Sequence, residues 1–475
     1  LSHARQDPSP QEVPTARWVG NRWTVIATSL TLIVLLAWAL LHIYGIYVSF
    51  AGARSTTGIV VLWFAALLML WWIPLSWFER PITTPPESAQ ELNALRVTVQ
   101  VPVYNEDEHA LRACLDSLLR QTRLPNRVAV VDDGSLCTGR ETPYRATRDW
   151  FIEACAEAGF EATWDRTENQ GKRHAQMHVL ADDDGDIFVT LDSDSILDAR
   201  AIEEGLKPFA DPRVKSVAGS ILVLNSRRNA LTAMISILYV PFTRGFRAAQ
   251  SVLHSVMVNS GTLAFYSADV IRKHADSYPH EQFAGRQMQM NDDSMMTLYA
   301  LWEGRTVHQP SSFAFTLVPE TWAHYRKQAM RWMRGTFIRT LWWLRYMPLT
   351  RPPFWMALFE ITQLFLALVF GGIIVWTLIT RPESGSIIVS AVVVTLILNY
   401  LIALRYFSVD RSDESLRFRL LVFALAPVAA VWRFFVLRPM QFYAIVTCRR
   451  VSQWGTRTAI EVRLDAGSDT AGAQR

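Results

Sequence analysis

Hydrophobic and polar positions divide this chain into three regimes. From Trp23 to Phe50 it reads WTVIATSLTLIVLLAWALLHIYGIYVSF, with no acidic or basic residue apart from His42, and a second apolar run extends from Gly58 to Phe78. Each exceeds the roughly 20 residues that a helix needs to cross about 30 Å of hydrocarbon. The first run is too long for a signal peptide, lacks a small-residue cleavage site and leads directly into the second, so two retained helices are expected. A polar middle of about 270 residues follows, and then apolar runs at Met356 to Ile379, Ile387 to Phe407 and Leu416 to Val436.

Within the polar middle the period changes. RVTVQVPVYNE from Arg96, RVAVVDDGS from Arg127 and DIFVTLDSDS from Asp186 are β-rich apolar runs that stop in polar residues, with helical patterns such as HALRACLDSLLRQT between them. Strands alternating with helices predict a parallel sheet with covering helices. Ligands of such sheets sit at the carboxyl ends of the strands, which singles out Asp132, Asp133, Asp192 and Asp194. Asp192 and Asp194 suit a divalent cation held against a diphosphate, because Mg²⁺ takes one or two carboxylates plus substrate phosphates. A plain acidic turn is the competing reading, and the place of this pair at the end of a strand weighs against it. ADDDGD, Ala181 to Asp186, precedes its strand and reads as a solvated turn.

A second acidic pair, Asp292 and Asp293, opens the helical pattern DDSMMTLYALWEG. Acids there compensate a helix N-terminus, and one carboxylate would also serve as a general base toward an acceptor hydroxyl. Lys172 and Arg173 in NQGKRHAQ place cations between the acidic strand ends, with a solvated turn as the alternative; His174 is given no role.

Half of the 475 residues are hydrophobic and 18 are Trp, which supports membrane insertion. Arg5, Arg17 and Arg22 precede the first span and only Arg54 lies in the loop after it, a bias that puts the N-terminus and the middle domain in the cytoplasm. A net charge of +4 gives a nucleic-acid partner no electrostatic support. The basic residues Arg326, Lys327, Arg331, Arg334, Arg339 and Arg345 are instead interleaved with Trp332, Trp342 and Trp343, as in a helix lying against lipid headgroups. In KQAMRWMRG, Lys327 to Gly335, the residues Gln328, Arg331 and Trp332 fall on one helical face and suit an anionic, sugar-like ligand. The anchor reading is kept for Arg334 to Tyr346. Cys114, Cys137, Cys155 and Cys448 are scattered, which predicts neither disulfides nor a zinc site. Residues 1–16 and 458–475 read as disordered tails.

Taken in order, VPVYNE, VVDDGS, NQGKR, LDSDS, SGTLAFY, NDDS and QAMRW resemble the processive family 2 glycosyltransferases over about residues 90–460. The resemblance is strongest to the membrane-integrated (class I) hyaluronan synthases, whose closing WGTR motif matches Trp454 to Arg457. It implies a membrane α-helical bundle plus a cytoplasmic α/β GT-A domain with a mixed, mostly parallel sheet. The divisions expected are a cytoplasmic tail (1–22), two transmembrane helices (23–80), the GT-A catalytic domain (90–325), the QxxRW and interface helices (326–352), the transmembrane channel helices (353–448), and the WGTR motif with its tail (449–475). It further implies UDP-GlcNAc and UDP-GlcA donors, a Mg²⁺ or Mn²⁺ cofactor, inversion at the anomeric carbon, and extrusion of hyaluronan by a multi-pass protein of the plasma (inner) membrane in contact with lipid.

By the same resemblance, Tyr104 and Asp132 or Asp133 hold the uridine with Lys172 nearby, and Asp192 and Asp194 hold the metal and diphosphate. Asp293 is the base, with Asp292 beside it; Ser260 and Gly261 border the acceptor site. Gln328 and Arg331 meet the leaving diphosphate, Trp332 offers a flat face to the acceptor sugar, and Trp454 and Arg457 close over the nucleotide. SGTLAFYS and NDDS stand where the family usually has SGPL…MYR and GDDR, and Asn259 stands for a cysteine. These departures are expected to border the acceptor pocket and to bear on sugar identity. Rival readings are a chitin-like or other single-sugar β-glycan synthase, a transferase acting on a lipid carrier, and a non-enzymatic transporter or sensor. A cytoplasmic WGTR segment requires an even number of crossings after the catalytic domain, so residues 416–448 are expected as two short, broken crossings bordering a polysaccharide channel, with a partly interfacial segment as the alternative.

Overall fold

A computed structural model describes residues 13–20, 30, 31, 33–35, 37, 38, 41, 70–136, 142–288, 290–380, 385–450 and 464. Most of the two N-terminal spans, Cys137, and Trp454 and Arg457 of the WGTR motif lie outside the described residues. The strands are β1 (Ala16–Trp18), β2 (Val97–Val103), β3 (Arg127–Asp132), β4 (Glu161–Arg166), β5 (Ile187–Leu191), β6 (Ser195–Leu197), β7 (Val214–Val223), β8 (Leu263–Ser267), β9 (Gln282–Phe283), β10 (Arg286–Gln287), β11 (Arg305–Thr316) and β12 (Val409–Arg411).

Eight of them form one sheet in the order β4-β3-β2-β5-β8-β7-β11-β6. Pairing is parallel from β4 through β5 and between β7 and β11, while β8 and β6 run antiparallel to their neighbours. The mixed, mostly parallel sheet expected from the alternating pattern is therefore present. Val97, Val99, Val101 and Val103 of β2 are fully enclosed with Thr98 and Gln100 between them, the two-sided burial of a central parallel strand. Helix α1 (Glu108–Leu119), capped by Asp107 accepting from the Ala110 N–H, packs Leu111, Cys114, Leu115 and Leu118 into the core on one face. Helix α2 (Lys172–Ala181) and helix α3 (Asp292–Glu303) contribute to the core on the other. The chain runs outward from β2 to β3 and β4, then returns as β5 on the opposite side of β2. That reversal opens a crevice at the carboxyl ends of β2, β3 and β5, where Tyr104, Asp132 and Asp192 stand.

Four expectations need correction. Ala16, the last residue of the tail expected over 1–16, is tied down: it opens β1, which pairs antiparallel with β12, and its N–H donates to Asp198 Oδ2 at 2.9 Å. Asp183 of ADDDGD is buried rather than solvated, accepting from the Thr98 hydroxyl at 2.6 Å and pairing with Arg272 at 3.3 Å. The later part of KQAMRWMRG and its continuation lie in helix α4 (Trp322–Tyr346) and face protein: Trp342 and Trp343 are buried in the core, Arg339 pairs with Glu360 at 3.0 Å, and Arg334 donates to the Thr447 hydroxyl at 3.0 Å. The 3.6-residue period puts Trp342 and Trp343 inward, so an anchoring surface is left to exposed residues such as Arg345 and Tyr346 rather than to the whole of Arg334 to Tyr346.

The fourth concerns the C-terminal region. Helices α5 (Pro352–Thr380) and α6 (Gly385–Ala403) form as expected. Leu416–Val446, however, is one continuous helical run of 31 residues, its joints at Leu425, Trp432 and Leu437 all right-handed helical. Its first end is tied to the catalytic domain where Ser226 donates to Glu414 at 2.9 Å, and its last where Thr447 meets Arg334. In between, Trp432, Leu437 and Met440 pack against Val223, Ile235, Val318, Tyr325 and Ala329. A helix held to one body at both ends and along its length is not a pair of crossings. Among the described residues, this run and Pro352–Val369 are the two helical stretches long and apolar enough to span a membrane by length and composition.

The apolar region and the sheet are joined by a buried ion cluster. Glu79, just after the second apolar run, accepts from His308 of β11 at 2.6 Å and from Arg405, just after α6, at 2.8 Å. His308 also meets the Ser220 hydroxyl at 2.9 Å. Removing one member of a buried charge group strands the others, at a cost of about 3–5 kcal/mol. Glu79→Ala is therefore expected to lower the melting temperature of the detergent-purified protein by several degrees, with Arg405→Met in the same background partly restoring it. An unchanged melting temperature in Glu79→Ala would show that the cluster does not hold the two parts together.

Candidate active site

Three loops at the crevice and the start of α3 converge on Lys172. Its ammonium lies 2.7 Å from Asp192 Oδ1 and 3.1 Å from Asp292 Oδ2, and the side chain is only 6% exposed. Burial alone would lower this ammonium, but the two carboxylates outweigh it and push it up, so Lys172 stays charged. The two acidic pairs, exactly 100 residues apart at their first members, thus share one cation. Burial works against ionisation of Asp292 too, yet Lys172 and Arg173 hold it below the usual carboxylate range. At Asp293 the balance is reversed: burial first, and then the Asp292 charge, outweigh the pull of Lys172 and raise its carboxyl to about 6. One carboxylate of the pair is a permanent anion and the other titrates near neutrality, the division of labour expected of a structural acid beside a general base.

Gly261 makes the close approach possible. A Cβ at this position would stand 2.6 Å from Lys172 Nζ, 3.6 Å from Asp292 Oδ2 and 3.7 Å from Asp192 Oδ1. Next to it, the Ser260 hydroxyl accepts from Arg247 at 2.6 Å. Asp192 gives its second oxygen to the Thr262 hydroxyl at 3.3 Å, and Ser195 donates to Asp194 at 3.3 Å. Among the described residues, no three His, Cys, Asp or Glu side chains converge to hold a metal unaided. Asp192 and Asp194 fit a divalent cation only with phosphate oxygens completing its shell, as Mg²⁺ sites with nucleotides do.

Asp132 and Asp133 are both buried and bonded within the protein. Asp132 accepts from the Ser135 N–H at 2.9 Å and pairs with Arg166 at 2.7 Å. Asp133 accepts from the N–H groups of Gln170 and Gly171 at 3.0 and 2.8 Å, which sets the turn that presents Lys172. Tyr104 is half-buried at the end of β2. Asn259 was expected at the acceptor pocket, but it is fully enclosed: its side-chain amide donates to the Ser216 hydroxyl and its N–H to the Thr297 hydroxyl. The change from cysteine is thus accommodated between strands and helix, away from the crevice.

On α4, Gln328 and Arg331 are half-buried and Trp332 is 47% exposed. Two contacts attach this face to the acidic centre. Tyr239, near the end of helix Ala230–Val240, has its ring 6.1 Å from that of Trp332. Gly335, the last residue of KQAMRWMRG, receives Asn291, whose side-chain amide donates to the Gly335 carbonyl at 3.1 Å. Asn291 adopts a left-handed conformation, φ 61°, and immediately precedes Asp292 and Asp293.

Three positioning residues emerge from the structure, of which the sequence offered only Arg173, as a cation between the acidic strand ends. Glu106, which ends VPVYNE, accepts from Ser193, the middle residue of DSD, at 2.9 Å. Arg173 donates to the Tyr278 and Met290 carbonyls at 3.0 and 2.7 Å and pairs with Glu281 at 2.6 Å, so it shapes the loop that enters α3. Arg247 holds Ser260. Glu106 and Arg173 lie inside quoted motifs, and a motif's buried polar member is the signal that would have revealed these roles; for Arg247 no sequence signal exists.

Two glycine substitutions test this geometry. Gly261→Ala must push the Lys172 ammonium off the two carboxylates and is expected to lower kcat/KM about tenfold, or ~1.4 kcal/mol. In Gly335→Ala the new methyl would stand 2.0 Å from Asn291 Oδ1, displacing the start of α3. Alanine favours a helix over glycine by roughly 1 kcal/mol, so α4 itself gains stability while kcat is expected to fall about tenfold. Steady-state kinetics with melting curves separate the two effects; wild-type rates in both variants would refute the arrangement.

Residues 98–275 match the family described as glycosyl transferase family 2, and residues 187–436 match glycosyl transferase family group 2. The hyaluronan synthase of Streptococcus pyogenes is 28% identical over 369 residues, covering 77% of this chain and 84% of its own. The N-acetylglucosaminyltransferase of Azorhizobium caulinodans is 31% identical, covering 76% and 87%, and that of Rhizobium meliloti 30%, covering 83% and 89%. With both acidic pairs and α4 inside the matched span, the chain belongs to the family 2 glycosyltransferases and its mixed, mostly parallel sheet is a GT-A-type fold.

Proposed function

We propose that this protein is a processive, inverting β-glycosyltransferase that joins sugars from UDP-GlcNAc and UDP-GlcA into hyaluronan and passes the polymer across the membrane that holds it. The observation that carries the transferase reading is the Lys172 bridge, which brings the donor-side acids of LDSDS and the base-side acids of NDDS to one centre. Transfer onto an acceptor chain is supported by the exposed indole of Trp332 beside that centre. A flat aromatic face holds a pyranose without demanding one hydroxyl pattern, which suits alternating sugars.

In this reading the acceptor hydroxyl attacks the anomeric carbon of an α-linked donor. Its proton passes to the Asp293 carboxylate, the bond from the anomeric carbon to the diphosphate breaks, and a β-linkage results. Arg331 and Lys172 face the negative charge that gathers on UDP, and Gln328 lies one turn before Trp332. Mg²⁺ or Mn²⁺ held by Asp192 and Asp194 would supply further neutralisation of the diphosphate. Tyr104 and the β3 acids border the uridine end, with Trp454 and Arg457 closing from the C-terminal side. The placement proposed is a multi-pass protein of the plasma (inner) membrane with its catalytic domain in the cytoplasm.

A second reading, a single-sugar polymer of GlcNAc, is favoured by the two rhizobial N-acetylglucosaminyltransferases at 31% and 30% identity. Incubating the purified protein with each UDP-sugar alone and with both, then sizing the product, separates the two. Long polymer only with both donors is the expected result; long polymer from UDP-GlcNAc alone would overturn the hyaluronan reading.

The base assignment makes a pH prediction. A base must be deprotonated, so activity is expected to fall as pH drops through about 6, the value to which burial and then Asp292 raise Asp293. Removing the like charge in Asp292→Asn lowers that pKa, so the acid limb of the kcat profile should move to lower pH. Asp293→Asn should lose at least about 10²-fold in kcat. An acid limb that stays in place in Asp292→Asn would assign it to another group.

A further inference from the structure

The short helix Ala230–Val240 begins with a capping box between Asn229 and Thr232 and is almost wholly apolar until Tyr239. Directly after it, Pro241–Phe246 widens into a π-helical turn, a distortion that recurs at functional positions. Within that turn the Thr243 hydroxyl donates back to the Tyr239 carbonyl at 3.0 Å, which fixes the backbone from which the tyrosine projects. The Tyr239 ring is half-buried and meets Trp332 with centroids 6.1 Å apart and planes inclined at 51°. Two aromatic planes at such an angle make a corner, open where Trp332 is exposed.

The hydroxyl at the tip of this corner has no hydrogen-bond partner among the described residues. A tyrosine hydroxyl is a neutral O–H at working pH and can donate there. The side chain is half-buried and its hydroxyl is not among the enclosed unpartnered atoms, so the polar tip is open to water or to a ligand. Here the ring is held by protein on its flanks while the polar tip is left for something that enters the corner. A pyranose stacked on Trp332 presents hydroxyl or amide groups around its rim, at the height where an inclined neighbouring ring would meet them.

We propose that Tyr239 is a second acceptor-binding residue: its ring closes one side of the subsite floored by Trp332, and its hydroxyl donates to a polar substituent of the acceptor's terminal sugar. This rests on Trp332 being the acceptor platform. Tyr239 then borders the platform, so it fixes how the terminal sugar is turned when its nucleophilic hydroxyl approaches the donor. It touches the acceptor and leaves the nucleotide alone.

The test is a split between two reactions of the full-length protein in detergent. Sugar transfer to an added oligosaccharide needs the acceptor subsite; hydrolysis of the UDP-sugar by water does not. Tyr239→Phe keeps the ring and removes one hydrogen bond, so the acceptor KM should rise about 5–10-fold. The hydrolysis rate and the Kd for UDP, measured by calorimetry, should stay within about twofold of wild type. Tyr239→Ala should raise the acceptor KM further. An unchanged acceptor KM in Tyr239→Phe, or a matched loss in hydrolysis and UDP affinity, would overturn the proposal. Trp332→Ala is the control for the platform itself: if it leaves the acceptor KM unchanged, the platform reading fails and this one with it, whereas a rise in Trp332→Ala without one in Tyr239→Phe rejects Tyr239 alone.

Discussion

The arrangement of the crevice depends on one buried ammonium between two carboxylates. Lys172 contacts Asp192 and Asp292 in a space that Gly261 leaves open. Burying a charge this way costs several kcal/mol of desolvation, which only close, well-directed partners offset. The surrounding loops are accordingly built to hold those partners. Asp133 fixes the turn before Lys172, Glu106 fixes the residue between Asp192 and Asp194, and Arg173 fixes the loop before Asp292. Three strand ends and a helix start, far apart in sequence, are registered to one another through a single side chain.

This explains why the second acidic pair splits into unlike members. An anion committed to Lys172 cannot also accept a proton near neutrality, while its neighbour, where burial and the Asp292 charge outweigh Lys172, can. Asp293 therefore takes its chemistry from Asp292, and Asp292 from Lys172. Under the proposed assignment of Asp293 as the base, its link through Asp292 to Lys172 would put donor recognition and acceptor activation under the same electrostatic influence.

Much of this was legible in the sequence, and the limits follow a physical pattern. Runs such as RVTVQVPVYNE carry both the β-period and the stop, so β2, β3 and β5 and the acids at their ends could be read directly. What periodicity cannot report is which acid meets which base across the sheet. Asp132 and Asp133 look like two exposed ligands in a string, and both prove to be enclosed and bonded to neighbours. Arg334, Arg339, Trp342 and Trp343 have the composition of a membrane-surface helix, yet composition is silent on whether the apolar side faces lipid or protein. Arg247 lies in an unremarkable stretch and matters only because the fold brings it to Ser260.

The same ambiguity governs the Leu416–Val446 run and bears on how the chain is threaded. Its hydropathy satisfies the requirement for a span, but hydropathy counts side chains without regard to what they touch. Ser226 with Glu414 at one end, and Arg334 with Thr447 at the other, place both ends on the catalytic domain. Exposed apolar residues such as Leu420, Val431 and Phe435 then form one outward side of a helix whose other side is already packed. Helix α5 starts next to the domain, where Arg351 donates to the Leu301 carbonyl, and α6 ends there, where Arg405 meets Glu79. A run packed on one side and apolar on the other has the form of a helix lying in an interface as well as that of a span, and its length and composition satisfy both.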